Sequence, residues 1–211
     1  MYFLTKELYF PSVETASPEG IVAVGGDLSP ERLVLAYNSG IFPWFEDDEP
    51  ILWWSPSERM VLFFEDLKIS KSMRNIINQK KFKVTFNTAF REVILNCKKI
   101  ARKDQPGTWI TDDMVEAYCN LHKLGIAKSV EVWENEELVG GLYGIDLGHV
   151  FCGESMFSKV SNASKMAFIA LAKQLEMANY RLLDCQVYND HLASLGCVEI
   201  DRDDFLMVLK S

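Results

Sequence analysis

Residues 129–188 constrain the fold of this chain more than any other segment. The stretch "SVEVWENEELVGGLYGIDLGHVFCGESMF" has the residues of two or three antiparallel strands, with turns at Glu134–Glu137 and near Asp146–Gly148. "NASKMAFIALAKQLEMANY" follows with the apolar spacing of an amphipathic helix, and "RLLDCQVY" then has the composition of a short apolar strand. This order of strands, helix and strand predicts a mixed α/β domain.

The segments that precede this stretch supply helices and one further strand. "KISKSMRNIINQ", "AFREVILNCKKIAR" and "TDDMVEAYCNLHKLG" are predicted helices, and "KFKVTFN" is an alternating strand. Helices, a hairpin, a strand, a helix and a final strand follow one another as in acyl-CoA N-acyltransferase-like (GNAT-like) domains. The predicted fold class is therefore α/β (α+β), with the ligand cleft where the strand edges separate, near Phe151–Glu154 and Asp184–Gln186.

A smaller unit is predicted at the N-terminal side of this domain. In "GGDLSPERLVLAYNSGIFPWF", Ser29 is a good N-cap, Pro30 suits the first helical position, and Gly40 ends the helix. An extended aromatic segment, an acidic loop and the strand-like "ILWWS" follow. We therefore expect a small N-terminal domain at residues 1–58 and an N-acyltransferase-like catalytic domain at 59–211.

The connection between the hairpin and the amphipathic helix indicates which kind of acyl donor the protein uses. Enzymes of this fold that use acetyl-CoA hold the pyrophosphate with a glycine-rich loop at that point, whereas here the connection is "SKVSNASK", without glycine. An N-acyltransferase architecture without that loop predicts a different activated acyl donor.

Charge is distributed unevenly along the chain. The net charge is −8, yet residues 68–103 hold eleven Lys and Arg against Glu92 alone. A basic block on an acidic protein favours a polyphosphate partner over a face that merely balances acidic neighbours, although the second interpretation stays open.

Cysteine usage and hydropathy indicate the compartment. The five cysteines are scattered without a CxxC pair, which argues against a disulfide framework or a zinc site and favours a reducing compartment. No stretch has the eighteen or so consecutive apolar residues of a membrane span, and the first residues do not have the pattern of a signal peptide. A cytoplasmic protein is expected.

Seven strings in order along the chain carry a resemblance to a known family. They are "GGDLSPERLVLAYNSGIFPWF", "ILWWSPSER", "GTWIT", "GGLYG", "FCGESMFS", "NASK" and "DCQVYNDHLASLG". Together they resemble the leucyl/phenylalanyl-tRNA–protein transferases over nearly the whole chain. The resemblance implies transfer of Leu or Phe, and Met less well, from aminoacyl-tRNA to proteins that begin with Arg or Lys, which marks them for N-end rule degradation. It implies no cofactor and no metal, because the aminoacyl ester is already activated.

The resemblance also implies roles for individual residues. Asp184 and Gln186 are the candidate catalytic pair; positions i and i+2 of a strand face one side, so Cys185 is expected in the opposite layer. Asp184 is expected to orient Gln186, whose carboxamide oxygen accepts from the attacking amine. Glu154 is the second acid, a candidate for holding the acceptor's amine or its basic side chain.

Binding positions follow from the same resemblance and from the basic block. The donor side chain is expected in an apolar pocket that discriminates by about 1–3 kcal/mol per methylene, formed by Leu142, Phe151, Phe168, Leu175 and Leu183. Trp44 and Trp109 match adenosine-contacting positions, whereas Trp53 and Trp54 are assigned to packing. Backbone phosphates of tRNA are assigned to Lys71, Arg74, Lys80, Lys81 and Lys83. The partners expected are Leu-tRNA or Phe-tRNA and the acceptor protein, with no membrane and with the enzyme as a monomer.

Three other interpretations remain to be compared with the structure. A thiol hydrolase or amidase needs Cys185 and His191 on one side of the strand, whereas we expect an inert thiol and a histidine that caps or bridges its turn. A CoA-dependent acetyltransferase is disfavoured by the missing glycine loop. A non-catalytic tRNA- or peptide-binding module would keep the fold without the chemistry.

Overall fold

A computed structural model describes residues 2–47, 49–99 and 110–211 of the chain. Within these residues the protein has two sheets, one of four strands and one of seven. The helices cover both faces of the larger sheet.

The small sheet and one helix form the N-terminal unit. Its strands lie in the order β1-β2-β4-β3. Ser29 caps the helix through its side chain, and Gly40 ends it at a φ of +74°, where a Cβ atom would lie 2.6 Å from Leu206. The elements are β1 (Tyr2–Leu4), β2 (Ile21–Gly25), α1 (Pro30–Asn38), β3 (Phe42–Pro43) and β4 (Leu52–Trp54).

The remaining elements build the larger sheet and its two helical layers. The strand order is β11-β5-β10-β9-β8-β7-β6. Strand β10 runs parallel to β9 and antiparallel to β5, and β5 also pairs with β11. The elements are β5 (Glu58–Leu62), α2 (Lys71–Asn78), β6 (Lys83–Phe86), α3 (Phe90–Lys99), α4 (Asp112–Lys123), β7 (Ala127–Glu134), β8 (Glu137–Asp146), β9 (Val150–Ser158), α5 (Ala163–Met177), β10 (Leu182–Gln186), α6 (Asp190–Ala193), β11 (Val198–Asp201) and α7 (Arg202–Lys210).

Two hydrophobic clusters occupy the two faces of the larger sheet. The first joins α3, α4, α7 and the N-terminal unit, and it includes Trp53, Tyr118 and Phe205. The second packs α5 against the opposite face and includes Phe168 and Leu183. Alternation along β10 therefore decides which layer each of its side chains enters.

Close packing of α5 on the sheet depends on glycines in β8. A Cβ atom on Gly140 would lie 2.5 Å from the Cβ of Ala163, at the start of α5. A Cβ on Gly144 would lie 2.2 Å from the carbonyl oxygen of Cys152. Because real Cβ atoms do not approach so closely, the "GGLYG" string fixes how near β9 and α5 come to β8.

Two bulges lie side by side where β9 and β10 separate. In β9, Tyr143 lies opposite Ser155 and Gly144 lies opposite Gly153, which leaves Glu154 as the extra residue. The register of β10 against β5 also shifts between Asp184 and Gln186. Bulges of this kind change the direction of a side chain next to an active site.

The structure confirms the predicted fold class, with the hairpin, the amphipathic helix and the strand that follows it in the predicted order, and it adds β11 and two short helices after that strand. The turn between β7 and β8 has Asn135 and Glu136 at positive φ, which is the conformation of a tight hairpin turn. Buried residues of the N-terminal unit and of the larger sheet share one cluster, and the domain boundary at residue 58 stays a prediction. Over the residues described, no helix is long and apolar enough to cross a membrane.

Candidate active site

Asp184 lies at the centre of the site, in a buried ion pair with Arg59. The Arg59 side chain, from β5, donates from Nε to Oδ1 at 2.8 Å and from Nη2 to Oδ2 at 2.7 Å. Asp184 is 0% exposed and Arg59 1% exposed. A two-point, charge-assisted contact of this kind fixes the plane of the carboxylate as well as its position.

Arg59 itself is held by three other parts of the chain. Its Nη1 donates to the carbonyl oxygen of Gly40 at 3.2 Å, just after α1. Its guanidinium lies 4.8 Å from the ring centroid of Phe42 and 4.6 Å from that of Phe205. Burial alone would lower the pKa of Arg59, but the carboxylate of Asp184 raises it above its usual value. The guanidinium therefore remains a cation within the protein.

Gln186 is held through both its backbone and its side chain. Its backbone N–H donates to Asp184 Oδ1 at 2.8 Å, and its φ is +66°. Its side-chain Nε2 donates to Glu154 Oε1 at 2.8 Å. Asp184 therefore holds the backbone of Gln186, whereas Glu154 holds its carboxamide.

Glu154 joins β10 to a pair of tyrosines. Its Oε2 accepts from the hydroxyl of Tyr118, on α4, at 3.1 Å. The Tyr118 hydroxyl also hydrogen-bonds to that of Tyr37, on α1. Burial raises the pKa of Glu154 to about 7, although the nearby hydroxyl groups of Tyr37 and Tyr118 and the amide of Gln186 lower it. The carboxyl group therefore changes its protonation near neutral pH.

Cys185 points away from these residues, into the second hydrophobic cluster. Its Sγ lies 3.7 Å from that of Cys197. Contact with Cys197, followed by burial, raises the pKa of the Cys185 thiol well above its usual value. Cys185 thus lacks the lowered pKa of a nucleophilic thiol.

His191 lies at the start of α6 and does not cap it. The side chain of Asn189 caps this helix by accepting from the backbone N–H of His191 at 2.9 Å and of Leu192 at 3.3 Å. The expectation that His191 caps or bridges the turn is therefore wrong. Asn189 caps it instead, because its short amide side chain reaches the first N–H groups of the helix directly.

The five residues assigned to the donor pocket lie together on the other face of the sheet. All are buried members of the cluster between the sheet and α5. Strand β9 contributes to both faces, because Phe151 enters this cluster whereas Cys152 enters the first. The side chains are Leu142, Phe151, Phe168, Leu175 and Leu183. Their assignment to the donor stays a prediction.

The aromatic residues of the N-terminal unit have separate environments. Trp53 is buried and donates from Nε1 to Gly25. Trp54 donates from Nε1 to the carbonyl of Trp44, and the two rings lie 5.6 Å apart. Trp44 is half-buried. Trp109 lies outside the described residues.

The five basic residues assigned to tRNA phosphates are exposed at α2, the following turn and β6. They are Lys71, Arg74, Lys80, Lys81 and Lys83. Lys81 forms a salt bridge of 3.4 Å with Glu134. Arg74 also lines a cleft of about 350 Å³ with Lys68 and Lys165. The five residues together form a basic surface at α2, the following turn and β6.

Sequence reasoning missed Arg59, Tyr37 and Tyr118 as site residues. Arg59 had a signal, since it is the one basic residue just before the apolar run "MVLFF", and a buried Arg requires a partner. Both tyrosines occupy apolar positions of amphipathic helices, so the sequence pattern predicts that their rings are buried but does not predict which groups their hydroxyls contact.

This arrangement provides hydrogen-bonding groups and no metal-binding cluster. Over the part of the chain that the structure describes, no three His, Cys, Asp or Glu side chains are placed to hold a metal ion. Gln186 presents a carboxamide and Glu154 a carboxyl group beside it. Such groups are able to align an amine and accept hydrogen bonds from it.

Among the solved structures, a match at a TM-score of 0.50 supports the fold alone, and a weaker one is given for comparison. A conserved protein of unknown function from Bacteroides thetaiotaomicron aligns at a TM-score of 0.50 and 12% identity, covering 73% of this chain and 55% of that one. A GCN5-related N-acetyltransferase from Kribbella flavida aligns at 0.38 and 10% identity, with coverage of 80% and 60%.

Sequence comparison is far more specific. The chain is 70% identical to a leucyl/phenylalanyl-tRNA–protein transferase of Flavobacterium johnsoniae and 65% identical to one of Flavobacterium psychrophilum, in both cases over 100% of each chain. A third relative with that name, from Christiangramia forsetii, is 56% identical over 99% of this chain and 100% of its own length. The models of the leucyl/phenylalanyl-tRNA protein transferase N-terminal domain and of the transferase match residues 26–57 and 61–210. The chain belongs to the leucyl/phenylalanyl-tRNA–protein transferase family and is a transferase enzyme.

Proposed function

We propose that this enzyme transfers Leu or Phe, and Met less well, from aminoacyl-tRNA to the α-amino group of proteins that begin with Arg or Lys. The product would be marked for N-end rule degradation. The observation that carries the proposal is the 70% identity over the full length of a relative named for this transfer. The contacts among Arg59, Asp184, Gln186 and Glu154 are compatible with the chemistry.

The reaction needs a nucleophilic amine and an activated carbonyl. The neutral α-amine of the acceptor attacks the ester carbonyl carbon, a C–N bond forms and the ester C–O bond breaks. The terminal ribose of the tRNA leaves with its hydroxyl, and the amine gives up one proton. Because the ester is already activated, the proposed reaction uses no cofactor and no metal.

Gln186 is proposed to act on the attacking amine. Its Nε2 is engaged by Glu154, so its Oε1 is the atom that accepts a hydrogen bond from the amine. An amide is too weak a base to keep the proton, which passes on to the ribose oxygen or to water. Positioning of amine and ester supplies much of the rate acceleration.

Different parts of the protein are proposed to recognise the amino acid, the terminal adenosine and the phosphates of the donor. The apolar side chain of Leu or Phe enters the cluster beneath α5, at the opening between β9 and β10. Trp44 and Trp109 stack on the terminal adenosine, where stacking is worth about 1–3 kcal/mol per base. Lys71, Arg74, Lys80, Lys81 and Lys83 contact backbone phosphates without reading sequence.

The acceptor and the working state of the enzyme complete the proposal. Glu154, beside the amine position, is the acid proposed to favour an acceptor with a basic first residue. The enzyme is proposed to act as a monomer in the cytoplasm. Sedimentation of the protein with and without tRNA measures the first of these two points.

Transfer of labelled Leu or Phe from charged tRNA to peptides tests the function directly. A peptide with N-terminal Arg is expected to accept the label, and a matched peptide with N-terminal Ala is the control. Gln186→Ala is expected to lower the rate of transfer while charged tRNA still binds. If the folded protein binds tRNA without transfer, the binding-module interpretation replaces this one. If it neither binds nor transfers, the acetyl-CoA and thiol interpretations return.

A further inference from the structure

We propose that Tyr118, held by Tyr37, positions the Glu154 carboxylate so that the Gln186 carboxamide turns its oxygen toward the acceptor's amine. Tyr118 and Tyr37 are positioning residues in this assignment, because they act through Glu154. The inference rests on the proposed function and adds to it which groups set the orientation of Gln186.

The direction of each hydrogen bond follows from the chemistry of the groups. An ionised carboxylate only accepts hydrogen bonds, so Glu154 requires a donor at each contact. Tyr118 donates its hydroxyl hydrogen to Oε2 at 3.1 Å, and the partner at Oε1, 2.8 Å away, must be the NH₂ group of Gln186. The carboxamide oxygen of Gln186 therefore points away from Glu154, where it is able to accept a hydrogen bond from the acceptor's amine.

The second tyrosine completes this chain of hydrogen bonds. Because the hydroxyl hydrogen of Tyr118 is used on Glu154, its oxygen accepts from the hydroxyl of Tyr37. Both rings are buried, at 1% and 0% exposure. The four residues come from α1, α4, β9 and β10, so the N-terminal unit contributes to the orientation of an amide on the last-but-one strand of the sheet in chain order.

The opposite orientation of Gln186 would not serve the reaction. If Glu154 carries a proton, its O–H is able to donate to the carboxamide oxygen, and the NH₂ group then faces the incoming amine. An NH₂ group cannot accept a hydrogen bond from an amine N–H. The hydrogen bond from Tyr118, supported by Tyr37, favours the charged form of Glu154 and so favours the productive orientation.

The groups around Glu154 determine how this orientation depends on pH. Tyr37 and Tyr118 face it from α1 and α4, Cys152 precedes it on β9, and Asp184 and Gln186 face it from β10. Arg59 reaches the same region from β5. Protonation of Glu154 is expected as the pH falls below about 7, so the rate of transfer decreases on the acidic side. Loss of the Tyr118 hydroxyl moves that decrease to higher pH, since a hydrogen bond that lowers the pKa of Glu154 is lost.

Tyr118→Phe is the central variant, because it keeps the ring packing and removes one hydroxyl. We expect kcat to fall about tenfold, the effect of one charge-assisted hydrogen bond. The KM values for charged tRNA and for the Arg peptide are expected to stay unchanged, and the acidic limb of the pH profile is expected to move upward. Tyr37→Phe should give the same change at smaller amplitude.

The matched control is Tyr180→Phe. Tyr180 also donates to a carboxylate, that of Asp146 at 2.6 Å, away from Glu154. Loss of the Tyr180 hydroxyl is expected to leave kcat and the pH profile the same as those of the unaltered enzyme. The acceptor amine titrates in the same way in every variant, so a shift between variants reports on Glu154.

A second measurement does not depend on turnover. In protein labelled with ¹⁵N-glutamine, the side-chain signal of Gln186 is identified by its loss in Gln186→Glu. Tyr118→Phe is expected to shift this signal and to speed its hydrogen exchange about tenfold. Tyr180→Phe is expected to leave it in place.

The outcomes separate this inference from the proposed function. Absence of transfer by the unaltered protein would refute the proposed function. If the unaltered protein transfers and Tyr118→Phe has the same kcat, pH profile and Gln186 signal, the positioning assignment is wrong. It is also wrong if Glu154→Gln raises the KM for the Arg peptide but leaves kcat unchanged, since Glu154 would then recognise the acceptor without orienting Gln186.

Discussion

At the scale of single residues, Arg59 and Asp184 depend on one another inside the protein. Each loses its hydration on burial, and the pair compensates by two short hydrogen bonds. Removal of one member leaves an uncompensated buried charge, which costs about 3–5 kcal/mol. Removal of both is less costly than twice that, because no unpaired charge remains.

We therefore expect Arg59→Met to lower the free energy of unfolding by about 3–5 kcal/mol. The double variant Arg59→Met with Asp184→Leu is expected to be more stable than Arg59→Met alone. Urea unfolding of four proteins, the unaltered chain, Arg59→Met, Asp184→Leu and the double variant, measures these differences. A double variant whose loss equals the sum of the single losses would show that the two residues do not act as a pair.

Cys185 gives a complementary prediction about activity. Its thiol faces the cluster beneath α5 and has a raised pKa. Cys185→Ala is expected to keep near-normal transfer, with a modest loss of stability from the smaller side chain. A folded Cys185→Ala protein that no longer transfers would restore the thiol interpretation.

Residue identity could be predicted from sequence where a motif carries the chemistry. Asp184, Gln186 and Glu154 stand in such strings, and their side chains lie together in the structure. Which group holds which could not be predicted, because Gln186 has a positive φ that strand periodicity does not reveal. The tyrosine hydroxyls meet only after α1 and α4 have packed together.

At the scale of elements, the two bulges determine the shape of the site more than the lengths of the strands do. They lie in neighbouring strands, so β9 and β10 separate at the position of Glu154 and Gln186. The sequence predicted β6, the hairpin strands, β10 and the place where β9 and β10 separate, because alternation and turn residues are local. It did not predict β5 or β11. The bulges were not predictable, because they result from pairing between distant segments.

Gly144 tests how tightly β8 and β9 must approach. A Cβ atom there would lie 2.2 Å from the carbonyl oxygen of Cys152, whereas a Cβ on Gly153, its cross-strand partner, would have its first neighbour at 3.5 Å. Gly144→Ala is expected to destabilise the protein by about 3 kcal/mol through overpacking, and Gly153→Ala by much less. Thermal unfolding compares the two. Equal losses would show that the glycine at 144 is not required for close approach.

At the scale of the whole molecule, charge is separated by region. The basic surface of α2 and β6 belongs to a protein of net charge −8. Acidic surroundings repel a polyanion elsewhere, so we expect the basic surface both to attract tRNA and to determine the side from which it approaches. The sequence predicted this separation because charge counts need no knowledge of the fold.

Salt dependence of tRNA binding measures this surface. Lys80→Glu with Lys83→Glu is expected to weaken binding and to reduce the slope of log affinity against log salt by about 1–2. Lys173→Glu with Lys210→Glu changes the net charge equally, outside the basic segment, and is expected to preserve most of the slope. Equal slopes in the two double variants would place the phosphate contacts elsewhere.

The position of β5 has a consequence for how the enzyme acquires its activity. This strand lies between β10 and β11, so Arg59 meets a partner that is 125 residues away along the chain. The β7-β8-β9 meander needs only local pairing and is expected to form early, whereas β5 closes a long loop and joins late. During refolding, recovered secondary structure should therefore precede recovered transfer. A nascent or partly folded chain would then present strands without a working site, and charged tRNA would be used only by molecules in which this distant pairing is complete.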